Sequence, residues 1–145
     1  MKKLLILFSY HFITSCVSDS SVINNIKTFE EVSQIILSEK RYTDHSISLD
    51  SIKILYPEIT SQITFLESEL ELSEIEVYNI GGETIKKGIA YRLNFGGIET
   101  YKQLLYVVDE INKEEFVHYE QFLECANRKD INDKWTLVTI TKCFD

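Results

Sequence analysis

Three cysteines and three histidines are the side chains most suited to covalent chemistry, metal binding or proton transfer in this chain of 145 residues. The cysteines are Cys16, Cys125 and Cys143, and none of them lies in a CxxC motif or beside a histidine in a pattern typical of zinc sites. An odd number of cysteines is unusual in an exported protein, because disulfide bonds use cysteines in pairs. If Cys16 has a separate role, Cys125 and Cys143 remain as a candidate disulfide pair.

The segment before Cys16 has the composition of an export signal. Lys2 and Lys3 give it a basic start, and residues 4–14 are mostly apolar. This apolar run is much shorter than the ~20 residues that a helix needs to span a bilayer. A basic start, a short apolar region and small residues at the end are typical of a secretory signal peptide.

The residues Ile13-Thr14-Ser15-Cys16 resemble the lipobox of bacterial lipoproteins. The resemblance implies attachment of a diacylglyceryl group to the Cys16 sulfur, cleavage after Ser15 and acylation of the new N-terminus, for example with palmitate. Several acyl chains anchor a protein stably, at ~0.8 kcal/mol for each buried CH₂. The alternative interpretation is that residues 4–16 form a buried strand or helix of a cytosolic domain, with Cys16 as a core cysteine.

The resemblance implies an exported protein that is lipid-anchored to the bacterial cell envelope, at the outer membrane facing the periplasm or at the cell surface. Residues 1–15 are the expected signal peptide. Residues 16–25, which are polar and lack clear periodicity, are expected to be the lipidated N-terminus and a flexible leash. Residues 26–145 are expected to form a single domain, since 44% of the chain is hydrophobic and no linker composition interrupts it.

The charge of the chain limits its partners. The net charge is −8, and the chain without residues 1–15 carries −10 because Lys2 and Lys3 are the only charges removed. Phosphate contacts need clustered lysine and arginine, so nucleic acid is not an expected partner. Adhesion of the folded part to anionic lipid is disfavoured for the same reason. A protein partner with a basic surface is favoured, although the charge could also serve solubility alone.

Helical periodicity is confined to the first half of the chain. Residues 26–39 predict an amphipathic helix, because apolar residues recur every three or four positions. A short helix is expected next, and Pro57 suits the first turn of a longer helix that ends near Leu72. The apolar positions of the first helix are Ile26, Phe29, Val32 and Ile36.

The second half of the chain is typical of antiparallel strands. Residues 89–95 and 134–142 alternate between apolar and polar side chains, and residues 75–80 also predict a strand. Residues 101–108 are apolar on both faces, as expected of a central strand. We therefore predict an α+β fold, with N-terminal helices packed on a curved four- to five-stranded antiparallel sheet. This element order resembles that of cystatin-like and NTF2-like domains.

Residues 114–125 fit either a strand or a helix, and this choice affects the candidate disulfide. A hairpin centred on Asp130 would place Cys125 opposite Trp135, some 25 Å from Cys143 at ~3.3 Å per residue. A disulfide requires Cα atoms within about 7 Å of each other. The predicted hairpin and the Cys125–Cys143 bridge therefore exclude each other. If the bridge forms, its closed loop would contribute about 3 kcal/mol.

A few polar and aromatic residues are candidates for a binding site. Asp44-His45 is an acid next to a base on an expected polar loop, and its spacing alone defines no catalytic geometry. The acidic run from Glu67 to Glu76 lacks the calcium-loop pattern and predicts a solvated helix end and strand face. Aromatic side chains in the sheet half could line a small-molecule pocket. Its candidate residues are Tyr91, Tyr106, His118 and Trp135.

Two classes of function are favoured by the sequence, and a structural component of the cell envelope is a third possibility. The first is a membrane-tethered lipoprotein that acts as a non-enzymatic binding, inhibitor or immunity-type module of the cell envelope. The second is a small-ligand carrier or an enzyme that uses an aromatic-lined cone near His118. No catalytic residue, cofactor or metal ligand is predicted, because the sequence has no nucleophile elbow, P-loop, GxGxxG or HExxH motif.

Overall fold

The computed structural model of the chain describes residues 17–38, 45–80, 86–97, 100–108 and 126–141. Helices and strands occupy most of these residues. The predicted signal peptide, residues 1–15, and the predicted lipid-attachment residue Cys16 lie outside this part of the chain. The ambiguous segment 114–125 also lies outside the described residues.

Helices dominate the described residues before position 72. The three helices predicted after residue 25 are confirmed, including the new helical start at Pro57. Helix α4 ends where Glu71 adopts a left-handed conformation, with φ 52°, which turns the chain into the first long strand. The helices are α1 Asp19–Asn24, α2 Ile26–Ser38, α3 Leu49–Leu55, a 3₁₀ turn Pro57–Ile59 and α4 Thr60–Leu70.

Helix α1 replaces most of the flexible leash that the sequence predicts for residues 16–25. Ser18 caps this helix, because its hydroxyl accepts a hydrogen bond from the backbone N–H of Ser21 at 3.1 Å. Val22 is fully buried, and Val17 is 9% exposed. The expectation of a leash is wrong for residues 17–25, because both of these apolar side chains pack in the core. Two apolar residues are too few to produce a helical periodicity in the sequence.

Among the described residues, six antiparallel strands form one sheet, in the order β1-β2-β3-β4-β6-β5. The predicted α+β class, with helices packed on a curved antiparallel sheet, is confirmed. The sheet has one strand more than the upper end of the predicted range. The three-residue strand β1 and the strand β5 were not predicted. The strands are β1 His45–Ile47, β2 Leu72–Ile80, β3 Lys86–Gly97, β4 Thr100–Val107, β5 Ala126–Asp130 and β6 Trp135–Thr141.

The hairpin formed by β5 and β6 has a different register from the predicted one. Ala126 pairs with Ile140, and Asp130 pairs with Thr136, so the turn lies at residues 131–134. The side chain of Asn132 fixes this turn by accepting hydrogen bonds from the backbone N–H groups of Lys134 and Trp135. The hairpin is therefore not centred on Asp130. The predicted exclusion between the hairpin and the Cys125–Cys143 bridge no longer follows, and both cysteines lie outside the described residues.

The main core lies between the helices and one side of the sheet, which we call the helical side. Phe29 on α2 meets Tyr91 and Trp135 there, with ring centroids 4.9 and 6.2 Å from its own. Helices α3 and α4 cover the part of the sheet near β2. The strand residues buried on the helical side are Ile47, Leu72, Ile75, Val77, Ile89, Tyr91, Leu93, Leu104, Tyr106, Trp135 and Leu137.

The opposite side of the sheet carries a second buried apolar cluster. Strand β4 contributes Leu105 and Val107 to it, while Leu104 and Tyr106 of the same strand face the helical side. The prediction that residues 101–108 are apolar on both faces is confirmed over residues 104–107. The buried members of the second cluster are Ala90, Leu105, Val107, Val138 and Ile140.

Candidate functional site

The start of the described chain is fixed to the middle of the sheet by a buried lysine. Lys102 lies on β4, on the helical side, and its Nζ donates a hydrogen bond to the backbone oxygen of Val17 at 3.3 Å. The same Nζ donates to the carboxylate of Asp19. The second oxygen of this carboxylate lies 3.9 Å from Nζ of Lys129 on β5. We call Val17, Asp19, Lys102 and Lys129 the N-terminal clamp.

Burial explains why Lys102 must have partners. Its side chain is only 11% exposed. A buried ammonium group without hydrogen-bond partners loses its hydration, which costs on the order of several kcal/mol. The Val17 carbonyl and the Asp19 carboxylate supply those partners. Sequence reasoning missed this residue. The available signal was a single lysine at the start of a strand whose residues 104–107 are apolar on both faces, where it must find an acceptor.

Charge is divided unevenly between the two parts of the fold. Residues 17–38 and 45–71, which we call the helical layer, contain eight acidic and two basic residues, a net charge of −6. The remaining described residues, which we call the strand region, contain four acidic and seven basic residues, a net charge of +3. The acidic balance of the described chain therefore comes from its helices.

The acidic side chains of the helical layer are largely exposed. Glu67 pairs with Lys53 at 2.6 Å. Apart from Asp19, which pairs with Lys102 and Lys129, the other exposed carboxylates of this layer have no basic partner among the described residues. We call the five exposed residues together the acidic helical surface, and they are Glu31, Asp50, Glu58, Glu67 and Glu69.

The strand region, in contrast, pairs its charges on the side opposite the helices. Arg92 on β3 contacts the carboxylates of Glu74 and Glu76 on β2, at 2.9 and 3.6 Å. Its guanidinium lies 5.3 Å from the centroid of the Tyr101 ring on β4, within the range of a cation–π interaction. The predicted solvated face of the acidic run therefore fits Glu67 and Glu69, which are exposed, whereas Glu74 and Glu76 are half-buried and paired with Arg92.

Two buried polar atoms beside this ion pair lack partners among the described residues. They are Nε of Arg92 and Oε1 of Gln103, which occupy directly opposite positions on β3 and β4. The first of these atoms is a hydrogen-bond donor and the second is an acceptor.

Three of the four predicted pocket residues meet in the main core. Tyr106 and Trp135 have ring centroids 4.6 Å apart, and Tyr91 lies 6.2 Å from Trp135. All three are at most 5% exposed, so within the described residues they pack against one another as core side chains. His118, the fourth predicted residue, lies outside the described residues.

Tyr91 is held by hydrogen bonds as well as by packing. Its hydroxyl donates to the backbone oxygen of Phe29 at 3.2 Å and lies 2.6 Å from the hydroxyl of Ser33. Burial raises the pKa of the Tyr91 phenol far above its usual value. The hydrogen bond to Ser33 opposes this rise in pKa, and the neighbouring Tyr106 adds to it. Tyr91 therefore connects α2 to the sheet as a neutral phenol.

The other predicted reactive residues are only partly covered by the described chain. His45 begins strand β1 instead of lying on a polar loop, and Asp44 lies outside the described residues, as do Cys16, Cys125 and Cys143. No three histidine, cysteine or acidic side chains among the described residues are grouped so that they could hold a metal ion. In the same part of the chain, no helix has the length and apolar composition needed to cross a membrane.

Comparisons with known proteins give no match. No family model matches the chain, and neither a curated protein nor a solved structure is significantly similar to it.

The described residues offer two candidate functional features: an exposed acidic surface on the helices and a clamp that fixes the residue following Cys16. Both features suit binding and positioning.

Proposed function

We propose that this protein is a lipoprotein of the bacterial cell envelope, tethered through lipid on Cys16, and that it acts as a non-enzymatic binding, inhibitor or immunity-type module. The tether rests on the basic start, the short apolar run and the lipobox-like residues Ile13-Thr14-Ser15-Cys16. The folded part would face the periplasm or the cell surface.

The observation that carries the binding role is the uneven division of charge. The helical layer has a net charge of −6, and its exposed carboxylates have few basic partners among the described residues. Like charges on one layer repel each other and add nothing to folding stability, whereas they attract and orient a basic protein during encounter. The partner is therefore a protein with a basic surface that binds the acidic helical surface.

The second class of function gains no support from the described residues. A carrier or enzyme would need space between Tyr91, Tyr106 and Trp135, and these rings instead contact one another in the core. The binding module is the function that the geometry supports best.

The tether is tested by metabolic labelling with a fatty-acid analogue. Cells that express the wild-type chain should incorporate the label into this protein, and the variant Cys16→Ala should lose it. Cys143→Ala is the matched control, because it removes a cysteine far from the lipobox and should keep the label. Equal labelling of wild type and Cys16→Ala would overturn the tether.

The binding role is tested by capture from envelope and secreted fractions, with the full-length chain held in lipid vesicles. A partner that binds through charge should be retained at low ionic strength and released near 1 M salt, where the Debye length falls to about 3 Å. Failure to retain any basic protein at low salt would overturn the acidic helical surface as a binding face.

A further inference from the structure

We propose that the folded domain is docked directly on the membrane surface by the N-terminal clamp, with the β5 corner of the sheet nearest the lipid. This inference rests on the proposed lipid tether at Cys16 and specifies its geometry. The partner is the headgroup region of a bilayer. The alternative arrangement is a domain that moves freely on a flexible leash.

The clamp fixes the chain immediately after the attachment residue. The Val17 carbonyl accepts a hydrogen bond from buried Lys102, and the Val17 side chain is 9% exposed. Ser18 then caps α1, and Val22 anchors this helix in the core. The first residues after Cys16 therefore belong to the folded domain.

Covalent geometry turns this fixation into a short tether. Consecutive Cα atoms are about 3.8 Å apart, so the Cα atom of Cys16 stays at that distance from the Cα atom of the fixed Val17. A flexible leash of about ten residues would instead have a mean end-to-end distance of about 17 Å. That distance exceeds the ~14 Å radius of gyration expected for a domain of this size, so a leash would allow free rotation and the clamp does not.

The register of the sheet shows which end of the strands the clamp occupies, and the contact between Asp19 and Lys129 on β5 shows on which side of the sheet it lies. Lys102 pairs with Thr139 on β6, which in turn pairs with Asn127 on the edge strand β5. The turn at residues 131–134 lies at the other end of the same hairpin. The clamp therefore lies on the β5 side of the sheet and nearer Asn127 than Asp133, which is up to about 20 Å from Asn127 along the hairpin.

Charge at this corner is compatible with anionic headgroups. Asp19 is shared between Lys102 and Lys129, and the side chain of Lys129 is 54% exposed. Each exposed lysine near an anionic membrane contributes about 1 kcal/mol of attraction. The acidic ends of α4 and β2 lie toward the opposite edge of the sheet, because β2 is four strands from β5, or about 19 Å. A bilayer at the β5 corner therefore leaves those carboxylates away from the lipid.

The test measures energy transfer from a fluorescent amino acid in the full-length lipidated protein to an acceptor on lipid headgroups. The vesicles contain phosphatidylethanolamine and phosphatidylglycerol, and the donor replaces Asn127 or Asp133, both of which are exposed. Transfer from position 127 should exceed transfer from position 133 about twofold, given their ~20 Å separation along the hairpin. Equal transfer from the two positions, or stronger transfer from position 133, would overturn the docked arrangement.

Two variants test whether the clamp causes the docking. A Gly/Ser insertion of about ten residues between Cys16 and Val17 leaves the clamp intact and lengthens the tether. It should bring the ratio of energy transfer from position 127 to that from position 133 close to one. Lys102→Met should also lower the ratio, and Lys134→Met, on the exposed turn, is its matched control. A ratio unchanged by the insertion would overturn the inference.

Failure of the tether is distinguished by flotation of the same vesicles. If Cys16→Ala floats with the vesicles as well as the wild type does, the tether itself is wrong. If only the wild type floats but positions 127 and 133 transfer equally, the tether stands and direct docking is wrong.

Discussion

The helical layer and the strand region handle charge in opposite ways. The helices carry a net charge of −6, and most of their exposed carboxylates have no basic partner among the described residues. The strand region carries +3, and Arg92, Lys102 and Arg128 all contact carboxylates. Charges in the strand region therefore serve the fold, whereas those of the helical layer remain available to a partner.

The apolar contact between the two regions should have the largest effect on stability. Trp135→Ala removes a buried ring that touches Phe29 on α2 and Tyr106 on β4. We expect the free energy of unfolding to fall by about 3–5 kcal/mol, as measured by urea denaturation. Phe65→Ala, on the same layer as Phe29 but 40% exposed, is the control with a much smaller loss. Similar losses for the two variants would contradict the assignment of the core.

The clamp is the next strongest connection between the regions. Asp19→Ala leaves buried Lys102 with a weaker set of partners, although the Asp19 side chain itself is 41% exposed. We expect a loss of about 1–3 kcal/mol in the free energy of unfolding. Asp133→Ala, on an exposed turn, should change it by less than about 0.5 kcal/mol. A clamp that does not stabilise the fold would give the same result for both variants.

The Tyr91 connection predicts a dependence on alkaline pH. Burial raises the pKa of the Tyr91 phenol above its unfolded value of about 10, so the folded state holds this proton more tightly. The contribution to stability is fully present below pH 10 and is lost as the pH rises above it, by about 1.4 kcal/mol for each pH unit. Denaturation series from pH 8 to about pH 11 should show a steeper loss for wild type than for Tyr91→Phe. Parallel curves would refute the buried neutral phenol.

Surface ion pairs should have the smallest effect. The Lys53–Glu67 pair of the helical layer is 22% and 45% exposed, so a double-mutant cycle should give a coupling of about 0.2–1 kcal/mol. The Arg92–Glu74 pair of the sheet should couple at least as strongly, because Arg92 also contacts Glu76 and the Tyr101 ring. A stronger coupling in the helical pair would reverse the comparison between the two regions.

Periodicity was sufficient to predict the regular parts of the fold. The spacing of Phe29, Val32 and Ile36 predicts the buried face of α2, and Pro57 marks the new helical start. The alternation from Ile89 to Leu93 predicts the side of β3 that faces the helices. These features follow from local sequence because each side chain repeats the same environment along its element.

The remaining features depend on contacts between distant parts of the chain. Helix α1 is short, and its position depends on core contacts of Val17 and Val22 and on the hydrogen bond from Lys102, 85 residues later in the chain, to Val17. Strand β1 spans only three residues and is defined by its pairing with β2. The turn of the last hairpin differs from the predicted one because the Asn132 side chain accepts hydrogen bonds from the backbone of Lys134 and Trp135. The acidic composition was evident from the sequence, but its concentration on the helices required the fold.

The most direct test of the central claim is the reversal of one charge in each region. Glu58→Lys, in the helical layer, and Asp133→Lys, in the strand region, change the net charge equally at exposed positions. Capture of a basic envelope protein at low ionic strength should weaken about tenfold for Glu58→Lys, or about 1.4 kcal/mol, and much less for Asp133→Lys. Equal weakening by the two variants would contradict a binding role for the acidic helical surface.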